Sequence, residues 1–215
     1  MATLKEITEM ISRLPSGGVI SDRNRYDQGY LNMTLGVFRA RLLKIIYLKN
    51  NRINPVCYQK HWPQYEADLQ DDKCCVKFRH PEVISLDNGS DGFRYAGSLS
   101  FANNYARIKS RGWLSTINDN AVMAANNNRR PTILYDGGLQ ILEVRGMPLL
   151  KELLTESLLA DPLSIPTYNQ DLDQYPINVD LLPDLMNMIF SEETAIDASK
   201  QIKPGEAPLM TNKRK

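Results

Sequence analysis

Apolar positions at helical spacing open the chain. Leu4, Ile7, Ile11 and Leu14 recur every three or four residues behind Thr3 and Glu6, which have the spacing of a capping box. Pro15 and Gly17-Gly18 stop the run, so the pattern predicts a short first helix. A longer helix is predicted from about Tyr26 to Lys49. There Leu31, Leu35, Phe38, Leu42 and Ile45 alternate steps of four and three and draw a narrow stripe for packing on other helices. Arg39, Arg41, Lys44 and Lys49 load its second half with positive charge, which complements the negative end of the helix dipole. Gly36 in mid-helix costs about 1 kcal/mol against alanine and predicts a close helix contact at that point.

After Asn50-Asn51 and Pro55 the texture changes, and short β-like runs alternate with Gly, Asn, Asp and Pro clusters as far as about Gly146. Strands are predicted at Cys74 to Arg79, Arg94 to Ser98, Ala106 to Ser110 and Thr132 to Tyr135. Asp136-Gly137-Gly138 then separates the last of these from Leu139 to Val144, the pattern of a hairpin across a tight glycine turn. Asn126 to Arg130 reads as a polar loop. Helical spacing returns with Pro148 followed by Leu149, Leu150, Leu153, Leu154 and Leu158, which predicts a third helix ending at Asp161-Pro162. A connector rich in Pro, Asp and Tyr runs from Leu163 to Ile177. A last helix is predicted from about Asp180, with Pro183 tolerated in its first turn and Leu182, Leu185, Met186, Ile189 and Phe190 as its apolar positions.

These elements predict an α+β fold. Residues 1–54 and 147–200 form a helical body in which N- and C-terminal helices close on one another as a bundle, and residues 55–146 form a β-rich insertion. The punctuated junctions at Asn54-Pro55 and Gly146-Met147-Pro148 suit a chain that leaves a bundle and returns to it. Residues 201–215, polar and basic with Pro204 and Pro208, form a tail expected to be mobile until a partner orders it.

Composition narrows the function. With 215 residues, 42% hydrophobic and 24% charged, the chain has the make-up of a folded globular protein, and a net charge of +1 gives no global field toward nucleic acid or anionic lipid. No apolar run approaches the roughly 20 residues that span a bilayer, and Met1 to Glu6 lacks the order of a secretory leader. Three cysteines, two of them adjacent, make no disulfide framework. The sequence therefore predicts a protein made and assembled in a cytoplasm, with no membrane partner.

The chain has no Gly-x-x-x-x-Gly-Lys-Ser/Thr loop, no Gly-x-Gly-x-x-Gly, no Gly-x-Ser-x-Gly and no His-Glu-x-x-His, and its two histidines offer little for general-base work. Asp87 to Gly92 resembles the start of a calcium loop but has glycine at the third position and Ser98 where a bidentate glutamate belongs. Cys57, His61, Cys74, Cys75 and His80 are zinc-type ligands within a short stretch. They lack a Cys-x-x-Cys knuckle, and adjacent Cys74 and Cys75 on a strand point to opposite faces. Arg129 and Arg130 read as a solvated loop that would also suit the wall of a DNA channel. No catalytic residue, metal, cofactor or small-molecule ligand is expected. The alternative to a structural protein is a small nucleic-acid or zinc-binding module, motivated by the cysteine and histidine cluster and the basic end.

One segment carries a resemblance: Ala160-Asp161-Pro162-Leu163-Ser164-Ile165-Pro166, then Asp173-Gln174-Tyr175-Pro176-Ile177, then the helix from Asp180. It resembles a C-terminal signature of virion proteins from crAss-like tailed bacteriophages. The layout is similar to that of neck or ring adaptor proteins of short-tailed phages. The signature covers about the last fifth of the chain. The resemblance implies a virion protein without enzymatic activity, a ring-forming subunit of the head-to-tail connector that binds other copies of itself and the portal and tail proteins, with non-specific contact to genomic DNA in the channel. It points to Asp173, Tyr175, Pro176 and Ile177, and to the terminal Lys213, Arg214 and Lys215, as contacts with neighbouring proteins.

Overall fold

The computed structural model describes residues 2–13, 28–65, 75–86, 92–99, 104–108, 131–145 and 152–201. The fold class is α+β, as the sequence pattern predicts. Three α-helices are described: α1 (Leu4–Arg13), α2 (Gln28–Asn50) and α3 (Leu182–Gln201). The strands are β1 (Gln59–His61), β2 (Gln64–Tyr65), β3 (Cys75–Arg79), β4 (Phe93–Gly97), β5 (Ala106–Ile108), β6 (Thr132–Asp136), β7 (Ile141–Arg145) and β8 (Leu154–Ser157).

The first helix forms where its pattern begins. Thr3 N donates to the Glu6 carboxylate at 2.9 Å and Glu6 N to Thr3 Oγ1 at 3.2 Å, the reciprocal pair of a capping box. The glycine turn also folds as a hairpin, with Asp136 opposite Ile141 and residues 137–140 between. Asp136 Oδ1 accepts the amides of Gly138 and Leu139, and Gln140 takes a positive φ of 54° to close the turn.

Two sheets make the β layer. One runs β1-β8-β4; the other runs β2-β3-β7-β6-β5, antiparallel except for the β5–β6 pair. Val76, Phe78, Ile133, Leu142 and Val144 from the larger sheet meet Phe93, Ala96, Leu153 and Leu159 from the region of the smaller one in a single core. Gly92 packs against Val83 and Ile84 beside the smaller sheet, and a Cβ there would stand 2.5 Å from the Ile84 carbonyl oxygen, so this close approach requires glycine.

The helix expected over Leu149 to Leu158 is not there. Leu154–Ser157 is β8, the middle strand of the smaller sheet, and residues 146–151 lie outside the described residues. A leucine-rich run fits a helical stripe and a strand buried on both faces equally well, and here pairing with β1 and β4 decides. Glu156, the one partly exposed residue of β8, sits between Lys60 and Arg94 of the flanking strands. The expected border at residues 146 and 147 therefore does not coincide with the edge of the β structure. The body that the pattern assigned to four helices has three among the described residues, and their shared core is completed by Tyr175 and Ile177 of the connector.

Arg39 ties these parts together. It is fully buried in α2, and its guanidinium donates to three backbone carbonyls: Nε to Pro176 at 2.8 Å, Nη1 to Leu159 at 2.7 Å and Nη2 to Cys57 at 3.0 Å. Those acceptors belong to the connector, to the exit of β8 and to the turn before β1. Burial lowers the guanidinium pKa from its ordinary value, opposed first by Tyr175, whose ring centroid is 5.9 Å away, and then by Cys57. Among the described residues no carboxylate forms an ion pair with Arg39, so carbonyl dipoles solvate the charge.

Replacing Arg39 by methionine keeps the volume but leaves three buried carbonyls without a donor, each worth about 1–3 kcal/mol. The gain from no longer burying a cation offsets part of this. We expect Arg39→Met to lower the unfolding free energy by about 3 kcal/mol or more, measured by urea titration. Arg39→Lys rescues little, because one ammonium nitrogen does not span three convergent segments.

Candidate functional site

α2 is apolar on more than one side. Its inner stripe, Leu31, Leu35, Phe38 and Leu42, is buried with Leu4, Ile7 and Ile11 of α1 and Leu185 and Ile189 of α3. Its outer side carries Met33 (63% exposed) and Val37 (46%), Leu48 is exposed further along, and Ile45, expected at the end of the buried stripe, is 41% exposed because the core ends before it; the helix has no carboxylate. A helix with exposed apolar residues beyond its buried stripe has a second surface to cover, and nothing in the described core covers this one.

Beside this outer face lies an open groove of about 600 Å³. Met33, Gly36, Val37 and Ala40 of α2 form one wall, Ala160, Asp161 and Leu163 with Glu82 form the other, and Arg41 and Lys44 stand at one end. Gly36 brings the helix against the connector, since a Cβ there would lie 3.6 Å from the Ala160 carbonyl oxygen. The close approach expected at Gly36 is therefore to connector backbone and not to another helix. Arg41 stacks its guanidinium 5.4 Å from the Phe38 ring centroid, which keeps the charge at the rim.

The residues that the resemblance singled out divide. Tyr175, Pro176 and Ile177 are buried within the chain, where Tyr175 lies under Arg39 and Pro176 gives it a carbonyl acceptor. Their side chains are mostly enclosed by the chain itself, although Pro176 also lines a small surface pocket with Asp173 and Gln174. Burial pushes the Tyr175 hydroxyl well above the ordinary tyrosine value, with Arg39 pulling the other way. Asp173 is exposed: its carboxylate accepts the Asn169 amide at 2.6 Å, and its own amide donates to the Asn169 carbonyl at 2.8 Å. Lys213, Arg214 and Lys215 lie outside the described residues, as do Arg129 and Arg130.

A second cleft, of about 380 Å³, is lined by His61, Trp62, Gln64, Arg79, His80, Gln140 and residues 164–167. His80 is fully buried, with Nδ1 2.8 Å from the Pro81 carbonyl and Nε2 3.0 Å from Thr155 Oγ1. A carbonyl only accepts, so the neutral ring carries its proton on Nδ1 and Nε2 takes the Thr155 hydroxyl. The His61 carbonyl, 3.1 Å from the same hydroxyl, competes for that proton. The rings of His61, Phe93 and Tyr135 surround His80 at centroid distances of 5.3, 5.0 and 5.6 Å. This is a packed aromatic cluster with a fixed imidazole, and Thr155, its hydroxyl partner, is fully buried.

The zinc-type residues do not converge. Cys57 packs with Leu43, Ile84, Leu86 and Leu158, and burial pushes its thiol above the ordinary value. His61 and His80 face each other elsewhere, Cys74 and the side chain of Cys75 lie outside the described residues, and among the described residues no group of three His, Cys, Asp or Glu is placed to hold a metal ion. Nor is any helix among the described residues long and apolar enough to cross a membrane.

Two features are hidden in the residue pattern. Arg39, expected among the cations that complement the helix dipole, falls four residues after Leu35 and three before Leu42 and is buried with that stripe. The outer residues Met33 and Val37 are four apart and off that stripe, which marks a second face. No protein-family model matches the chain, and no curated protein is detectably similar to it.

Burial, the main cause, pushes His80 down to about 3, with the Pro81 carbonyl opposing and His61 adding to the shift. The folded state therefore prefers the neutral ring, whereas an unfolded histidine titrates near 6.5. The stability this gives is present above about pH 6.5 and is lost as pH falls toward 3, at up to about 1.4 kcal/mol per pH unit. We expect the stability gap between the wild type and His80→Gln to narrow between pH 7 and pH 4 in denaturant titrations; a constant gap contradicts the assignment.

Proposed function

We propose that this chain is a structural assembly subunit without a catalytic site, a ring or adaptor protein of a tailed-phage head-to-tail connector that binds neighbouring copies of itself together with portal and tail proteins. The observation that carries the reading is the uncovered outer face of α2, an apolar surface with a cationic end beside an open groove. Isolated exposed apolar side chains are ordinary, but Met33 and Val37, one helical turn apart and lining an open groove, make a surface suited to a partner.

The connector supports the same reading. The segment that carries the resemblance, Ala160 to Ile177, is fastened to α2 by Arg39 at Leu159 and Pro176. That fastening keeps the groove wall at Ala160, Asp161 and Leu163 in a fixed place before any partner arrives. Preorganised surfaces lose less conformational entropy on binding, which suits a subunit that must repeat one contact around a ring.

Sedimentation velocity of the purified chain, alone and with a tailed-phage portal protein, tests this. The expected result is a discrete oligomer, formed alone or on the portal. A chain that remains monomeric in both samples at high concentration contradicts the reading.

A further inference from the structure

Resting on that assembly reading, we propose that Leu172 of one copy inserts into the groove beside α2 of the next, with Asp171 and Asp173 meeting Arg41 and Lys44, so that subunits join head to tail.

Leu172 is 79% exposed, more than any other large hydrophobic side chain among the described residues. A single exposed leucine would be unremarked on a loose loop, but this one sits on a turn held from several sides. Asn169 Oδ1 accepts the Asp171 amide at 2.9 Å, the Asn169 carbonyl accepts the amides of Leu172 and Asp173, and Asp173 Oδ2 accepts the Asn169 amide. Lys5 N donates to the Gln170 carbonyl and anchors the turn to α1. The result is a preorganised knob, an exposed apolar side chain between two carboxylates.

The groove is the matching hole. Met33, Gly36, Val37 and Ala40 offer an apolar wall, and the space of about 600 Å³ readily takes a leucine with its flanking backbone. Charge sets the orientation. Arg41 and Lys44 stand at one end, whereas Glu82 and Asp161 line the opposite wall, so the two carboxylates of the knob must approach from the α2 side. The exposed Lys5–Asp171 pair, 3.5 Å apart, gives little resistance to such an exchange.

The wider sequence has the same polarity. Gln28 to Tyr65 contains six lysines and arginines and no carboxylate, whereas Asp161 to Phe190 contains five aspartates and no cation. Pairing α2 with α2 of a second copy would set cations against cations. Nucleic acid would satisfy the charges but leave Met33 and Val37 facing polar backbone. A knob and hole at different places on one chain make a heterologous contact, which propagates and closes into a ring when the rotation allows.

The test uses the full chain under the conditions in which the wild type assembles. Leu172→Asp removes the knob and Val37→Asp blocks the hole; both sites are exposed, and circular dichroism melts check that the variants fold. Each variant is expected to self-associate more weakly by about tenfold or more. Mixed in equal amounts, they are expected to form a heterodimer and stop there, because only the knob of Val37→Asp and the hole of Leu172→Asp remain. If both variants assemble like the wild type, this contact is overturned while the ring reading stands. A mixture that stays monomeric also overturns it, as does wild-type assembly that nuclease treatment dissolves. A wild type monomeric with and without portal protein removes the ring reading itself.

Discussion

A positive charge with no carboxylate partner among the described residues sits at the centre of this molecule. Arg39 has no access to water, and its guanidinium is solvated by the carbonyls of Cys57, Leu159 and Pro176. An unsatisfied cation in that position would cost several kcal/mol, so the three chain segments are constrained to converge on it. The convergence is long in range: the acceptors lie 18, 120 and 137 residues from Arg39 along the chain. It joins the helices, the smaller sheet and the connector at one point, which apolar packing alone would leave free to slide.

The consequence reaches the surface. With Leu159 and Pro176 fixed, the connector between them is pinned at both ends, and its first residues become the far wall of the α2 groove. The same pinning, with the Gln170 and Gln174 contacts to α1, holds the turn that displays Leu172. The proposed hole and the proposed knob are thus both supported by the buried arginine, and neither needs an ordering step before a neighbour docks.

Much of this was legible from residue pattern. The capping box at Thr3 and Glu6, the long second helix, the hairpin around Asp136 to Gly138 and the last helix with Pro183 near its start are local signals, and local physics forms them. β8 was not legible, because the leucines at 153, 154, 158 and 159 satisfy a helical stripe as well as a doubly buried strand, and only pairing with β1 and β4 distinguishes the two. Tyr175, Pro176 and Ile177 stood out as a motif but reveal nothing of burial in sequence. Their role depends on Arg39, which lies over the Tyr175 ring and is hydrogen-bonded to the Pro176 carbonyl, a contact 137 residues apart in the chain. The candidate surface was half visible: Met33 and Val37 are readable as a second helical face, but the facing wall comes from Glu82 and from Ala160, Asp161 and Leu163, which are remote in the chain.

A charged arginine sealed inside the fold holds these segments together, and proton exchange at its side chain tests that most directly. In a spectrum of the 15N-labelled protein at neutral pH, the Arg39 Nε–H, assigned by its loss in Arg39→Lys, is predicted to exchange with water far more slowly than the exposed arginines, near the rate set by global unfolding. Exchange of that proton at the rate of a solvent-exposed guanidinium would contradict the convergence of the three segments on Arg39 and the fixed surface built upon it.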